Sequence, residues 1–287
     1  MHLGHQSVLN DLLVWASAHG LPAVAIVFEP QPREFFAGTQ APARLTRLRE
    51  KLTLLGQAGV RRVLCLRFDA ALAAWPAVAF VERVLVAGLG ARAVLIGDDF
   101  RFGSDRTGDL ELLARLGRQA GFEVRAAGTY IVDGERVSSS LVRDRLAAGD
   151  MDGARRLLGR HYAMEGRVVR GERRGRTIGY PTLNIEPQRL KSAVHGIFAA
   201  RVHGLGERPL AGMAYVGTRP VVNGDRVLLE AHLFDFDGDC YGRHVQVEFV
   251  RKLREDRPFE SLAALAAQLR IDETDARLAL AGHPGQT

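Results

Sequence analysis

Cysteine, lysine and long apolar runs are all scarce in this chain. Its two cysteines among 287 residues, Cys65 and Cys240, lie far apart, so we expect no disulfide framework and a reducing, cytoplasmic setting. No apolar run reaches the ~18 residues of a membrane span. The N-terminus shows no basic segment followed by an apolar stretch, so we expect no signal peptide. These absences argue against a membrane partner and predict a cytoplasmic protein.

The net charge of +6 suits two kinds of polyanionic partner, a nucleic acid or a small molecule such as a nucleotide. Only 3 of the 39 basic residues are lysines, and no run of Lys and Arg exceeds two residues. The chain has neither a basic tail nor a motif of alternating aromatic and basic residues, which nucleic-acid-binding proteins often use. We therefore expect small-molecule partners and no nucleic acid.

The first half alternates helical and strand patterns. Helices are predicted at residues 6–18, 46–57, 76–87 and 109–120, and strands at 23–28, 62–68, 93–96 and 122–126. This order predicts an α/β fold with a parallel, doubly wound, Rossmann-like sheet. Ligands of such sheets bind beyond the carboxyl ends of the strands, which here lead into the loops at 29–38, 68–75 and 97–109.

The second half consists mainly of short strands separated by turns. Six strands are predicted, at 164–170, 182–185, 196–202, 210–216, 226–236 and 244–253, with Asn223-Gly224 as a hairpin turn. They suggest a small, closed, six-stranded β-barrel, with a helix at 259–269 packed on it and a frayed tail at 281–287. Two short helices, at 141–147 and 151–158, precede the barrel. We therefore predict two domains, 1–160 and 161–287.

Three motifs in the first half favour phosphate binding. His2 and His5 form an HxGH pattern just before the first predicted helix, whose free N–H groups and dipole attract anions. Residues 97–103 read GDDFRFG and follow a strand, and residues 136–143 read RVSSSLVR and open a helix. Hydroxyls and a guanidinium there can bind phosphate oxygens. The alternatives for single motifs are a surface His pair and ordinary capping of a helix by serine.

The stretch at residues 175–184, GRTIGYPTLN, carries the most information in the second half. Thr182 and Asn184 are two residues apart and would share one face of an extended strand. Hydroxyl and amide oxygens are ligands that Mg²⁺ accepts, and glycines allow backbone N–H groups to approach phosphates. The alternative interpretation is a basic hairpin loop followed by an ordinary strand.

This stretch resembles the signature of riboflavin kinases. The resemblance implies that Thr182 and Asn184 hold the Mg²⁺ of ATP and that Gly175, Arg176 and Gly179 shape the phosphate loop. It also singles out Glu230, in the segment LEAHLFD, as the general base that takes the proton of the ribityl 5′-hydroxyl. A surface partner for an arginine is the alternative role for Glu230, and we expect the neighbouring His232 to be structural.

The three motifs of the first half resemble the nucleotidyltransferase half of bacterial bifunctional riboflavin kinase/FAD synthetases. The resemblance implies that His2, His5 and Arg143 stabilise charge on the ATP phosphates as pyrophosphate leaves, and that Asp99 contacts the nucleotide. It assigns contacts with the phosphates to three hydroxyl groups, those of Ser138, Ser139 and Ser140. In this family the HxGH helix follows a strand and a Gly-x-Phe-Asp-Gly-Val turn, whereas here Met1 stands at the position of the valine. Our hypothesis is a mis-assigned or truncated start, which would leave the first domain incomplete.

The resemblance implies an enzyme with two activities. The second half would phosphorylate riboflavin to FMN with Mg²⁺ and ATP, and the first half would adenylylate FMN to FAD. Its partners would be riboflavin, FMN and ATP, and we expect a monomer or a weak homo-oligomer. Two alternatives remain open: a riboflavin kinase with a defective adenylyltransferase half, and a basic nucleic-acid-binding or flavin-sensing regulator.

Overall fold

The computed structural model describes residues 1–171, 179–221 and 224–282. By its contacts the chain forms two compact units. Unit 1 comprises Met1, Leu3–Pro42 and Leu48–Val137, and unit 2 comprises His2, Ala43–Arg47 and the chain from Ser138 onward. In the part of the chain that the structure describes, no helix combines the length and the apolar character needed to cross a membrane.

Unit 1 alternates helices and strands, as the sequence predicts. Its α-helices are α1 (Leu3–Ala18), α2 (Pro32–Ala37), α3 (Leu48–Gln57), α4 (Ala70–Ala73), α5 (Ala77–Phe80) and α6 (Leu110–Ala120). A π-helical segment, Val81–Gly88, continues α5, and short 3₁₀ turns occupy Gly38–Gln40 and Ser104–Arg106. Its strands are β1 (Val24–Glu29), β2 (Arg62–Arg67), β3 (Ala93–Gly97), β4 (Glu123–Ala127), β5 (Ile131–Val132) and β6 (Glu135–Arg136).

The four main strands of unit 1 pair in parallel, but as two separate sheets, β1 with β2 and β3 with β4. Within the described residues β1 and β3 are not hydrogen-bonded to each other, so the single continuous sheet expected from the alternation is divided in two. One apolar core around Phe80, Leu113 and Phe122 nevertheless includes side chains from all four strands. The alternation of apolar and polar segments therefore predicts where the strands lie, because the apolar segments are the ones that become buried. It does not predict which strands pair with each other.

The ends of α6 follow from its sequence. The carboxylate of Asp109 caps the first turn by accepting the N–H of Leu112 at 2.9 Å. Gly121, with φ of 79°, ends the helix in a left-handed conformation. The loop that carries GDDFRFG therefore runs from the carboxyl end of β3 to a fixed helix start, as expected for a ligand loop.

Unit 2 contains the expected closed, six-stranded, antiparallel barrel. Its strands are β7 (Tyr162–Val169), β8 (Leu183–Glu186), β9 (Gly196–His203), β10 (Leu210–Val221), β11 (Gly224–Leu233) and β12 (His244–Arg254), joined in the order β10-β11-β8-β7-β12-β9. Before the barrel come α7 (Ser139–Ala147) and α8 (Met151–Leu158), and after it comes α9 (Leu262–Ala281). The predicted hairpin turn includes Asn223, which lies outside the described residues.

Helix α9 is longer than the sequence predicts and begins later. It covers one patch of the outer barrel wall, where Ala199, Met213, Phe234 and Val250 pack against its buried residues. Ala281, predicted as the first residue of a frayed tail, is the last residue of this helix, and residues 283–287 lie outside the described part. The predicted pattern stopped at residue 269 because a charged segment follows it, and one of those charges, Asp272, is buried.

Candidate functional site

Three polar side chains lie next to one another on the outer wall of the barrel. Glu230 of β11 is paired directly with Asn184 of β8 on one side and with Tyr215 of β10 on the other. Its neighbours along the strand, Leu229 and Ala231, are almost fully buried. Because side chains of a strand alternate between faces, Glu230 points away from the barrel interior. The barrel thus brings together two residues that the sequence analysis selected from segments far apart in the chain.

The segment before β8 is attached to β11 and α9. His232 donates a hydrogen bond through Nδ1 to the carbonyl oxygen of Pro181 at 2.8 Å. The hydroxyl of Tyr180 donates to Glu273 at 3.1 Å, and its ring lies 4.9 Å from the His232 ring. Thr182 therefore follows a fixed backbone, although it precedes β8 instead of lying within it. The contact of His232 with backbone agrees with the structural role expected for it.

Glycines shape the space around Asn184. A Cβ atom on Gly171 would overlap the carboxamide of Asn184, so only glycine leaves room for this side chain in its present position. Gly179 has a φ of 81°, a conformation that glycine adopts without strain. Two other predicted members of the phosphate loop, Gly175 and Arg176, lie outside the described residues.

A depression of about 240 Å³ lies beside Tyr215. It is lined by His195, Gly196, Tyr215, Val216, Gly217, Thr218, Glu255 and Asp256. The hydroxyl of Tyr215 donates to Asp256 at 2.8 Å. Burial, this hydrogen bond and the negative charges of Asp256 and Glu230 raise the pKa of Tyr215 to about 12, so its phenol stays neutral.

The donor groups in and just before β8 suit a hard cation. Thr182 and Asn184 offer a hydroxyl and an amide oxygen, and Glu230 stands beside Asn184. Such oxygen ligands fit Mg²⁺ that also binds phosphates and water. No cluster of three or more His, Cys, Asp or Glu side chains that could hold a metal occurs among the described residues.

The two HxGH histidines have different surroundings. His2 precedes α1 and is 8% exposed, whereas His5 lies in the first turns of α1 and is exposed. Burial, together with the nearby N-terminal amine, lowers the pKa of His2 to about 4. His2 is therefore neutral near pH 7. By its contacts it groups with unit 2, whereas His5 groups with unit 1.

The GDDFRFG loop combines core packing with exposed charge. Phe102 is buried and its ring lies 5.7 Å from that of Phe100, so the aromatic positions of the motif belong to the core of unit 1. Asp98 and Asp99 are both paired with Arg136, at 3.3 and 3.2 Å. Asp99 is exposed, as expected of a residue that contacts a ligand.

The start of α7 is capped by the first serine of the SSSLVR segment. The Ser138 hydroxyl oxygen accepts the N–H of Leu141 at 3.1 Å and so caps the helix. Ser139 and Ser140 are the first residues of α7. Arg143, one turn further, donates from Nε to the carbonyl of Ala43 at 2.7 Å and from Nη1 to that of Ser139 at 3.1 Å.

Comparison with known proteins identifies the family. A family model described as FAD synthetase matches residues 1–141, and one described as riboflavin kinase matches residues 158–280. The bifunctional riboflavin kinase/FMN adenylyltransferase of Escherichia coli K12 is 47% identical over 277 residues, covering 96% of this chain and 88% of that protein. The chain belongs to the bifunctional riboflavin kinase/FMN adenylyltransferase family. The Pseudomonas fluorescens member is 45% identical, covering 96% and 89% of the two chains.

A solved structure shows the same fold. The crystal structure of a macrolide-efflux protein from Streptococcus pneumoniae has a TM-score of 0.81 at 28% identity, covering 96% of this chain and 90% of that one. The two family matches agree with the mixed architecture seen here, an α/β unit and a unit built on a closed barrel.

The sequence analysis missed two features of this bifunctional family member. One is Tyr215 with its hydrogen-bond partner Asp256. The sequence offered one signal for it, a glycine two residues after the tyrosine: a Cβ atom at Gly217 would overlap the Tyr215 side chain. The other is an aromatic patch in unit 1, formed by Phe28, Phe35, Phe36 and Phe68 with ring centroids 5.2–5.8 Å apart. It lies at the carboxyl ends of β1 and β2, where the loop at 29–38 was expected to bind a ligand.

Proposed function

We propose that this chain phosphorylates riboflavin to FMN with Mg²⁺ and ATP, and adenylylates FMN to FAD with release of pyrophosphate. The observation that carries the kinase proposal is the direct pairing of Glu230 with Asn184 on the outer wall of the barrel. A base beside a ligand for the metal–nucleotide complex is what transfer of a phosphoryl group to a hydroxyl requires. The family's bifunctional members support both activities.

In the kinase reaction Glu230 accepts the proton of the ribityl 5′-hydroxyl as that oxygen attacks the terminal phosphorus of ATP. Thr182 and Asn184 would hold Mg²⁺, which neutralises charge on the phosphates. The depression beside Tyr215 lies on the opposite side of Glu230 from Asn184. The hydroxyl acceptor therefore enters from the Tyr215 side, and the nucleotide from the Asn184 side.

In the adenylyl transfer the phosphate of FMN attacks the α-phosphorus of ATP, and pyrophosphate leaves. His2 acts as a neutral N–H donor, because its pKa near 4 keeps it uncharged. His5 and Arg143 supply donors for the negative charge that develops, and Asp99 and the serines at the start of α7 contact the nucleotide. Positioned donors of this kind are commonly the main catalytic contribution when no covalent intermediate forms.

The aromatic patch is our candidate for the flavin ring in the adenylyl transfer. Phe36 is 71% exposed although it contacts two other aromatic rings, which leaves a flat apolar surface at the ligand-binding end of the strands. Planar aromatic ligands stack favourably on such rings. The cysteine content and these metabolite substrates suit a cytoplasmic enzyme, working as a monomer or a weak homo-oligomer.

Assays of single variants can test the kinase and the adenylyltransferase activities separately. Glu230→Gln removes the base and keeps the shape, so FMN formation from riboflavin, ATP and Mg²⁺ should fall by roughly 10²- to 10⁴-fold. FAD formation from supplied FMN should stay within twofold of the unmodified chain. Glu207→Gln, at an exposed loop glutamate, is the matched control and should leave both rates unchanged.

Chromatographic separation of riboflavin, FMN and FAD measures both products and shows which part of the proposal fails. Undiminished FMN formation by the Glu230→Gln variant would refute the assignment of the base. FMN formation by the unmodified chain without any FAD would reduce the proposal to a riboflavin kinase. No FMN from a folded chain would overturn the kinase activity itself.

A further inference from the structure

A short segment of the first half of the chain packs with unit 2. Residues Ala43–Arg47, which we name the strap, connect the 3₁₀ turn after α2 to the start of α3 and group with unit 2 by their contacts. Leu45, at its centre, is 8% exposed. A segment of five residues without helix or strand is held here by burial and by side-chain hydrogen bonds to its backbone.

One of those hydrogen bonds involves Arg143. Its Nε donates to the carbonyl of Ala43 in the strap at 2.7 Å, while its Nη1 donates to the carbonyl of Ser139 at 3.1 Å. Two acceptors on different segments fix both the position and the plane of a guanidinium group, whose donors have a rigid geometry. Where the strap lies therefore determines where the guanidinium of Arg143 points.

Two further arginines fix the strap on unit 2. Arg189, only 5% exposed, donates from Nη1 to the carbonyl of Arg44 at 2.6 Å. Arg47 donates from Nη1 to the carbonyl of Pro187 at 3.2 Å and from Nη2 to Oε1 of Gln188 at 2.6 Å. These partners at 187–189 directly follow β8, the strand that carries Asn184.

We propose that Arg47 and Arg189 are positioning residues for adenylyl transfer, because they hold the strap whose Ala43 carbonyl orients Arg143. The inference rests on the proposed function of Arg143. It gives the segment after β8, in the kinase half of the chain, a part in the other reaction. Neither arginine needs to contact ATP or FMN for this role, since each acts through the backbone of the strap.

The test compares four variants in FAD formation from supplied FMN. Arg47→Met and Gln188→Ala each remove one side of the same contact, and Arg189→Met removes the other anchor. A misplacement of about 1 Å commonly costs up to 10²-fold in rate, so we expect kcat to fall roughly tenfold or more, with KM for FMN within twofold. Arg49→Met, at an exposed arginine two residues beyond the strap, is the matched control and should keep full activity.

A double variant distinguishes positioning from general destabilisation. If Arg47 acts through Arg143, the Arg47→Met/Arg143→Met double variant should be no slower than Arg143→Met alone. FMN formation by each single variant should stay within twofold. Arg47→Lys should recover part of the lost kcat, since it restores one donor.

The possible outcomes distinguish the positioning role of Arg47 and Arg189 from the proposed role of Arg143. Full activity of both Arg47→Met and Gln188→Ala would overturn the inference while leaving Arg143 in place. Multiplying losses in the double variant, or equal losses of both activities, would also overturn it. Full activity of Arg143→Met would instead refute the proposed role of Arg143, on which the inference rests.

Discussion

The ion pair that holds helix α9 on the barrel permits a quantitative test. The carboxylate of Asp272, 2% exposed, accepts two hydrogen bonds from Arg254: one from Nε, shared between both carboxylate oxygens at 3.0 Å, and one from Nη2 at 2.8 Å. Gln268 adds a third at 2.9 Å. Removing Arg254 would leave a buried carboxylate with one neutral donor, and loss of one partner of a buried pair typically costs about 3–5 kcal/mol.

We therefore expect Arg254→Met to release α9. Hydrogen exchange of the α9 amides should accelerate by roughly 100- to several thousand-fold, the factor that corresponds to about 3–5 kcal/mol, up to the limit set by unfolding of the whole unit. Mass spectrometry of peptides covering 262–281 measures this directly. Both tryptophans, Trp15 and Trp75, belong to unit 1, so their fluorescence in urea is an internal control that should not change.

A double variant tests the cause. Replacing Arg254 by Met and Asp272 by Leu together removes the unpaired charge, so its cost should be well below the sum of the two single costs. A tenfold change in exchange rate corresponds to about 1.4 kcal/mol. If the α9 amides of Arg254→Met exchange within about threefold of their rate in the unmodified chain, the ion pair does not hold the helix. Additive costs would show that charge burial is not the reason.

Three other predictions follow from single sites. Gly171→Ala should displace the carboxamide of Asn184 and lower FMN formation with FAD formation from FMN unaffected, whereas Gly206→Ala, with space for a Cβ, should change neither. The pKa of His2 is about 4 in the folded chain and 6.5 in the unfolded chain, so the unfolded chain binds more protons between these pH values. The free energy of unfolding, measured in urea, should therefore rise by up to about 3 kcal/mol from pH 4 to 6.5. The His2→Asn variant should lack this rise. Phe36→Ser should raise KM for FMN in FAD formation and leave KM for riboflavin unchanged, and an unchanged KM for FMN would remove the aromatic patch from the site.

Local sequence patterns predicted the barrel because strands such as β7 alternate between a buried and an outer face. In β11, for example, Leu229 and Ala231 are buried, whereas Glu230 lies on the outer face between them. The same reasoning failed at the end of α9, since Asp272 is a charged residue at a buried position. Its partner, Arg254, lies 18 residues earlier, and no local pattern shows such a pair.

The motifs identified the residues that we propose for the kinase reaction, but they did not predict how these residues are arranged. Asn184 and Glu230 become neighbours only because β8 and β11 are adjacent in the closed barrel. Tyr215 carries no motif and enters the site through the register of β10 with β11. For the same reason the alternation in unit 1 predicted four strands and could not predict that they form two parallel pairs.

The packing of the barrel explains why the proposed kinase site lies on its outer face. Phe198, Leu229 and Phe249 are fully buried, as expected of a six-stranded barrel, whose interior has room for side chains but not for a nucleotide. Polar residues that serve a ligand must then occupy the outer face of the strands. Helix α9 covers one part of that face, and the row formed by Asn184, Glu230 and Tyr215 lies on another. The hydroxyl of Tyr180, just before Thr182, donates to Glu273 of α9. The ion pair that anchors this helix therefore also supports the segment that leads into the proposed kinase site.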